Sequence, residues 1–162
     1  MRMFDKTLRG YEEAGKWRHA LGLLSRMMSD NSSGVRPDST TFGMVVSACV
    51  KAGRWREASN VVLREMPTHG VTPDATTYTS VIDVCGKWGR WEEQVLGLLR
   101  RMEETGSVQP SVRSFNIAIK AVGDSGDCEA ALALFREMLA AGIVPNMDSY
   151  STVIKAFNQA GR

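Results

Sequence analysis

A chain of 162 residues, 43% of them hydrophobic and with a net charge of +2, is long enough for one domain with a sizeable core and reads as ordered and soluble. That charge is too small to announce a nucleic-acid partner by composition, so any such face must come from local placement. No apolar run approaches the roughly 18 residues of a membrane span, and the three scattered cysteines, Cys49, Cys85 and Cys128, form neither a disulfide framework nor a CxxC metal pair, which points to a reducing compartment.

The opening stretch, "MRMFDKTLRGYEEAGKW", lacks both the apolar centre of a secretory signal and the acid-free, Ser-rich character of a transit peptide, so the chain is expected to be mature or cytosolic. Further along, Pro37, Pro73, Pro110 and Pro145 are each followed five residues later by an aromatic (Phe42, Tyr78, Phe115, Tyr150) and 16 residues later by a glycine (Gly53, Gly89, Gly126, Gly161). Phe4 and Gly15 keep the same mutual spacing without the proline, so a first copy begins at the start of the chain. Repeats of this length signal a solenoid of helix-turn-helix units that bury their apolar faces on one another.

Within each unit the proline-to-glycine segment predicts a first helix. Phe42, Val45, Val46 and Cys49, like Tyr78, Val81, Ile82 and Cys85, fall on one helical face. The polar residue after the proline is an N-cap candidate, and the glycine ends the helix where a left-handed residue costs little. A second helix follows, with Trp91, Val95, Leu98, Leu99 and Met102 in one unit and Cys128, Ala131, Leu132, Phe135 and Met138 in the next. Trp17, Trp55 and Trp91 each stand two residues after a glycine, in the first turn of that helix, and are expected to act as packing wedges.

The joint pattern of "GVTPDATTYTSVIDVCGKWGRWEE" and "GIVPNMDSYSTVIKAFNQAGR" resembles the pentatricopeptide repeat family over nearly the whole chain. Tetratricopeptide repeats have units of similar length, but their Trp-Leu-Gly-Tyr arrangement is missing. The resemblance implies an all-α fold, a right-handed α-solenoid of about nine helices. One array is expected over 1–162, with repeats at 1–38, 39–74, 75–111 and 112–146 and a half repeat at 147–162.

It also implies single-stranded RNA binding, one base per repeat, along a concave surface lined by the first helices. In the family, the residue six after the boundary proline pairs with the residue just after the next such proline to choose the base. Carried over, the base-reading pairs are Asp5 with Asp38, Gly43 with Asp74, Thr79 with Ser111, and Asn116 with Asn146. A lysine near the end of the first helix commonly faces the RNA backbone; Lys51 and Lys87 match, whereas Asp124 and Gln159 do not. Where the family usually carries an aliphatic residue that sandwiches bases, this chain has Thr40, Thr76, Arg113 and Asp148.

Catalysis finds no foothold in the sequence: His19 and His69 stand alone, and no HExxH, P-loop or zinc-deaminase set occurs. Glu92 and Glu93 open a helix, where negative charge is favourable. No cofactor is expected. Two functions remain: an RNA-binding adaptor in a mitochondrion or plastid, as the resemblance implies, and a protein-interaction scaffold docked on a large organellar assembly. For the second, the terminal helix, from about Met147 to Ala160, is expected to leave apolar surface open at Ile154 and Phe157, to be covered by another protein, a lipid- or pigment-rich surface, or a continuation of the chain.

Overall fold

The computed structural model describes residues 2–29, 36–88, 94–106 and 108–161, with side chains from residue 5 onward. Among them the elements are α1 (Arg2–Glu13), α2 (Trp17–Ser29), α3 (Ser39–Lys51), α4 (Trp55–Asn60), α5 (Met66–Thr68), α6 (Ala75–Lys87), α7 (Leu96–Thr105), α8 (Val112–Asp124), α9 (Cys128–Ala140) and α10 (Met147–Gln159), with no strand. A π-helical turn, Val61–Glu65, joins α4 to α5 into one continuous helix. There the Met66 N–H reaches back to the Val61 carbonyl. The cause lies just downstream: Pro67 has no N–H to donate, and its ring would crowd the Leu63 carbonyl in a regular α-helix.

The first helices that follow a proline start at the cap it predicts. Asp38, Ser111 and Asn146 are the N-caps of α3, α8 and α10, and Asp74 Oδ1 accepts from the Thr77 N–H at 2.7 Å at the start of α6. Such caps stabilise a helix by about 1 kcal/mol each. The left-handed closure of the first helices falls on Gly15, Gly53, Gly126 and Gly161, all at positive φ; Gly89 lies outside the described residues.

The helices gather into two compact units, Met1–Val81 and Ile82–Arg162, with α6 running through the boundary. In the first, α3 packs on α1, α2 and α4. Its core holds Leu24, Phe42, Val45, Val46, Cys49, Met66 and Tyr78, all buried, and each large apolar side chain so placed is worth about 1.5–3 kcal/mol. In the second, α8 packs against both α9 and α10 around Phe115, Ile119, Val122, Leu134 and Met138.

The second-helix faces are partly as expected. Val95, Leu98, Leu99 and Met102 are buried, while Trp91 lies outside the described residues. On α9, Cys128, Ala131 and Met138 are buried, but Leu132 and Phe135 are only half-buried, and Leu134 takes the inner position instead. Neighbouring first helices approach closely in the second unit. A Cβ on Gly86 would lie 2.7 Å from Ala121 Cβ, and one on Gly123 2.7 Å from Ala156 Cβ.

Candidate nucleic-acid interface

The residues expected to read bases occupy two structurally distinct registers. The second member of each pair is a helix cap. Asp38 Oδ1 accepts from both Thr41 N–H and Thr41 Oγ1 at 2.8 Å, and the backbone bond above all holds this carboxyl below its ordinary range against a smaller opposing effect of burial. Ser111 and Asn146 each form a reciprocal capping box, with Ser114 and Ser149. All four caps are exposed, so the bond that fixes each side chain leaves its outer edge open.

The first members lie one turn or so into their helices. Asp5 is half-buried in the first turn of α1. Gly43 faces open space. Thr79 is buried, its Oγ1 donating to the Ala75 carbonyl at 2.6 Å. Asn116 is half-buried and donates from Nδ2 to Asn146 Oδ1 at 3.1 Å. Asn146 Oδ1 also accepts the Ser149 N–H at 3.0 Å, which settles the orientation of both amides: the oxygen must point at the donors. Asn116 Oδ1 is then left buried without a hydrogen-bond partner among the described residues.

This last pair is joined by a hydrogen bond within the second unit. No hydrogen bond links Asp5 to Asp38 among the described residues, Gly43 has no side chain to offer Asp74, and Thr79 belongs to the first unit while Ser111 belongs to the second. Thr40, Thr76, Arg113 and Asp148 are all exposed.

The two lysines are not free cations. Lys51 Nζ lies 3.3 Å from Glu12 Oε1, which also accepts from Ser47 Oγ at 2.8 Å, so α1 supplies a carboxylate to the end of α3. Lys87 Nζ lies 2.6 Å from Asp83 Oδ2 one turn back on α6.

Tryptophan placement departs from a simple wedge. Trp17 and Trp55 open α2 and α4 as expected, but both are half-buried. Arg18 Cζ stands 5.1 Å and Arg54 Cζ 4.8 Å from the Trp17 ring centroid, and Arg56 Cζ 5.1 Å from that of Trp55. The signal was present in the sequence as "GKWR" and "GRWR" at one register, but Arg54 meeting Trp17 across repeats is visible only in the fold.

The histidines make local contacts and the cysteines are buried. His19 stacks beside Tyr11 at 5.4 Å, and His69 Nδ1 lies 2.9 Å from the Glu65 carbonyl. All three cysteines are buried, and burial, with a smaller contribution from Glu57, pushes the Cys49 thiol up to about 12. Among the described residues no three His, Cys, Asp or Glu side chains cluster to hold a metal, and no helix is long and apolar enough to cross a membrane. Glu92 and Glu93 lie outside the described residues.

Residues 8–162 match the family described as the pentacotripeptide-repeat region of PRORP. A chloroplastic pentatricopeptide repeat-containing protein of Arabidopsis thaliana is 34% identical over 161 residues, 99% of this chain and 20% of its own length. Among solved structures, maize PPR10 is similar at 30% identity and a TM-score of 0.69, over 98% of this chain and 22% of its own. PPR10 in complex with an 18-nt psaJ RNA element matches at 27% identity, a TM-score of 0.72, and 99% and 23% coverage. Nuclear proteinaceous RNase P 2 of A. thaliana shares the fold at 19% identity and a TM-score of 0.79, over 99% of this chain and 35% of its own. The chain thus spans about a fifth of the length of the first two relatives.

Proposed function

The chain belongs to the pentatricopeptide repeat family, an all-α solenoid fold, and from that premise we propose that it is a non-catalytic adaptor for single-stranded RNA in a plastid or mitochondrion. It acts as one array over 1–162, with repeats at 1–38, 39–74, 75–111 and 112–146 and a half repeat from 147, taking about one base per repeat. The observation that carries this reading is the Asn116–Asn146 pair. One amide is anchored by a helix cap, the other is oriented by it, and an acceptor is left unpaired. Asn146 is exposed, so its outer edge can meet a base while half-buried Asn116 holds it in place. The PPR10 complex with an RNA element, at 27% identity, supports the same reading.

Fluorescence anisotropy with short single-stranded RNAs tests it. The wild type binds, and Asn116→Ala changes base preference at one position and leaves the others alone. Absence of binding at low salt would remove the RNA reading; binding with unmoved preference would remove the base code at Asn116.

A second reading, docking of a protein partner through α10, has its own observation. Met147, Tyr150 and Ile154 are 83%, 52% and 59% exposed, whereas Phe157 is half-buried and so contributes less open surface than Ile154. Tyr150 rests edge-on against Phe135 at 5.3 Å. The double variant Met147→Glu/Ile154→Glu, with assembly and RNA binding measured separately, distinguishes the two: docking loses assembly alone.

A further inference from the structure

We propose that the turns joining the two helices of the first and second repeats, Lys16-Trp17-Arg18 and Arg54-Trp55-Arg56, form a surface that grips the phosphodiester backbone of single-stranded RNA, away from the base-reading pairs. This deepens the RNA reading above and rests on it.

The geometry is repeated. The left-handed glycines Gly15 and Gly53 (φ 61° and 67°) deliver the same basic-Trp-basic triplet to the start of α2 and of α4. Each indole is half-buried and therefore anchored, and each carries at least one guanidinium over its ring. Arg54 reaches back over Trp17 at 4.8 Å, so the two triplets are continuous and one indole holds two guanidiniums. An arginine held over an aromatic face keeps its N–H donors at its rim, and less rotamer entropy is left to lose when they meet a phosphate.

Charge balance separates these residues from the expected phosphate contacts. Lys51 and Lys87 are each tied to a carboxylate. Lys16, Arg18, Arg54 and Arg56 have no carboxylate partner among the described residues.

The partner follows from what surrounds the patch. A protein interface needs apolar anchors at its centre. The exposed large hydrophobic side chains among the described residues are Trp88, Leu139, Val144, Met147, Tyr150 and Ile154, none of them in the first unit. Cations at two like sites one repeat apart, with no fully exposed large hydrophobic side chain beside them, suit a polymer with regularly spaced charge. Phosphate contacts of this kind position a strand without reading it. In the third repeat the same register reads Arg90-Trp91-Glu92 and in the fourth Asp127-Cys128-Glu129, so the full basic-Trp-basic triplet belongs to the first two repeats.

The test uses the whole chain, short oligouridine and oligocytidine, and anisotropy over a range of KCl concentrations. Two variants are compared: Arg18→Gln/Arg56→Gln, which keeps Arg54 over Trp17, and the triple variant that adds Arg54→Gln. Each lost phosphate contact on a single strand lowers the slope of log K against log salt by about 0.7, so the double variant should lose about 1.4, with the ratio between the two oligonucleotides unchanged. A wild-type slope in the double variant, with an unchanged thermal melt, overturns the inference and leaves the base-reading face standing. Failure of the wild type to bind RNA overturns both readings together. Tighter wild-type binding to polyglutamate than to oligouridine of equal charge, lost in the double variant, assigns the patch to an acidic protein and overturns it as well.

Discussion

Gly123→Ala probes the spacing between neighbouring first helices. The new Cβ would stand 2.7 Å from Ala156 Cβ and 3.4 Å from Ala156 Cα, against the roughly 3.5–4.0 Å at which carbon atoms rest. Both atoms are short and backbone-bound, so α8 and α10 must separate by about 1 Å, an overpacking cost of about 1–3 kcal/mol. Against this, alanine improves helix propensity by about 1 kcal/mol. Gly22, in α2, isolates that second effect because nothing lies within 4 Å of its Cβ position. Thermal or urea unfolding followed by circular dichroism should therefore show Gly22→Ala stabilised by up to about 1 kcal/mol. Gly123→Ala should fall about 1–3 kcal/mol below it, about 2–4 °C of melting midpoint per kcal/mol. Moving the methyl across the gap, in Gly123→Ala/Ala156→Gly, should restore much of the loss. The same displacement pulls Asn116 away from Asn146, so base preference at that repeat should weaken as well. Equal stabilisation by Gly22→Ala and Gly123→Ala would refute the close approach.

Asp38→Ala removes the cap of α3 and should cost about 1 kcal/mol at neutral pH. Because the folded carboxyl is held below its ordinary range, its contribution is present above the unfolded pKa and lost as pH falls through the folded one; the gap between variant and wild type in acid unfolding should close in that direction, and a gap that widened would contradict the bond. The Cys49 thiol, pushed up to about 12, should resist a thiol-directed disulfide reagent at mildly alkaline pH until the protein is unfolded; prompt labelling of Cys49 in the native state, located by mass spectrometry, would contradict its burial.

The helices were legible because their signals are local. A proline, a polar cap and a glycine at fixed distances specify α3, α8 and α10 nearly to the residue, and period 3.6 names Phe42, Val45, Val46 and Cys49 as one buried face. Contacts between residues distant in sequence were not legible. The π-helical turn before Pro67 was a local signal that the helical pattern masked. The Glu12–Lys51 ion pair and the Arg54–Trp17 contact join residues on different repeats, so no spacing within one repeat announces them. The same limit governs the base-reading pairs. Their positions follow from register, but only the structure says that Asn116 and Asn146 meet while Thr79 turns its hydroxyl into its own helix.

Glu12 decides how much Lys51 can do. An exposed ion pair of this kind is worth about 0–1 kcal/mol, so Lys51 can leave it cheaply for a phosphate. The carboxylate cannot leave as easily, because Ser47 Oγ holds it at 2.8 Å. A phosphate bound at Lys51 then sits near a fixed negative charge, and like charges about 4 Å apart repel by about 1 kcal/mol even in water. The lysine gains little, which is why the unpaired arginines are expected to dominate the salt slope. Glu12→Gln preserves an oxygen for Ser47 and removes the charge. RNA affinity should rise by about fivefold at low salt, the equivalent of about 1 kcal/mol, and stability should fall by no more than about 1 kcal/mol. Lys51→Ala should weaken Glu12→Gln more than it weakens the wild type. An unchanged affinity on neutralising Glu12 would mean that no phosphate passes near the end of α3, and would leave the turns of the first two repeats as the place where the backbone is held.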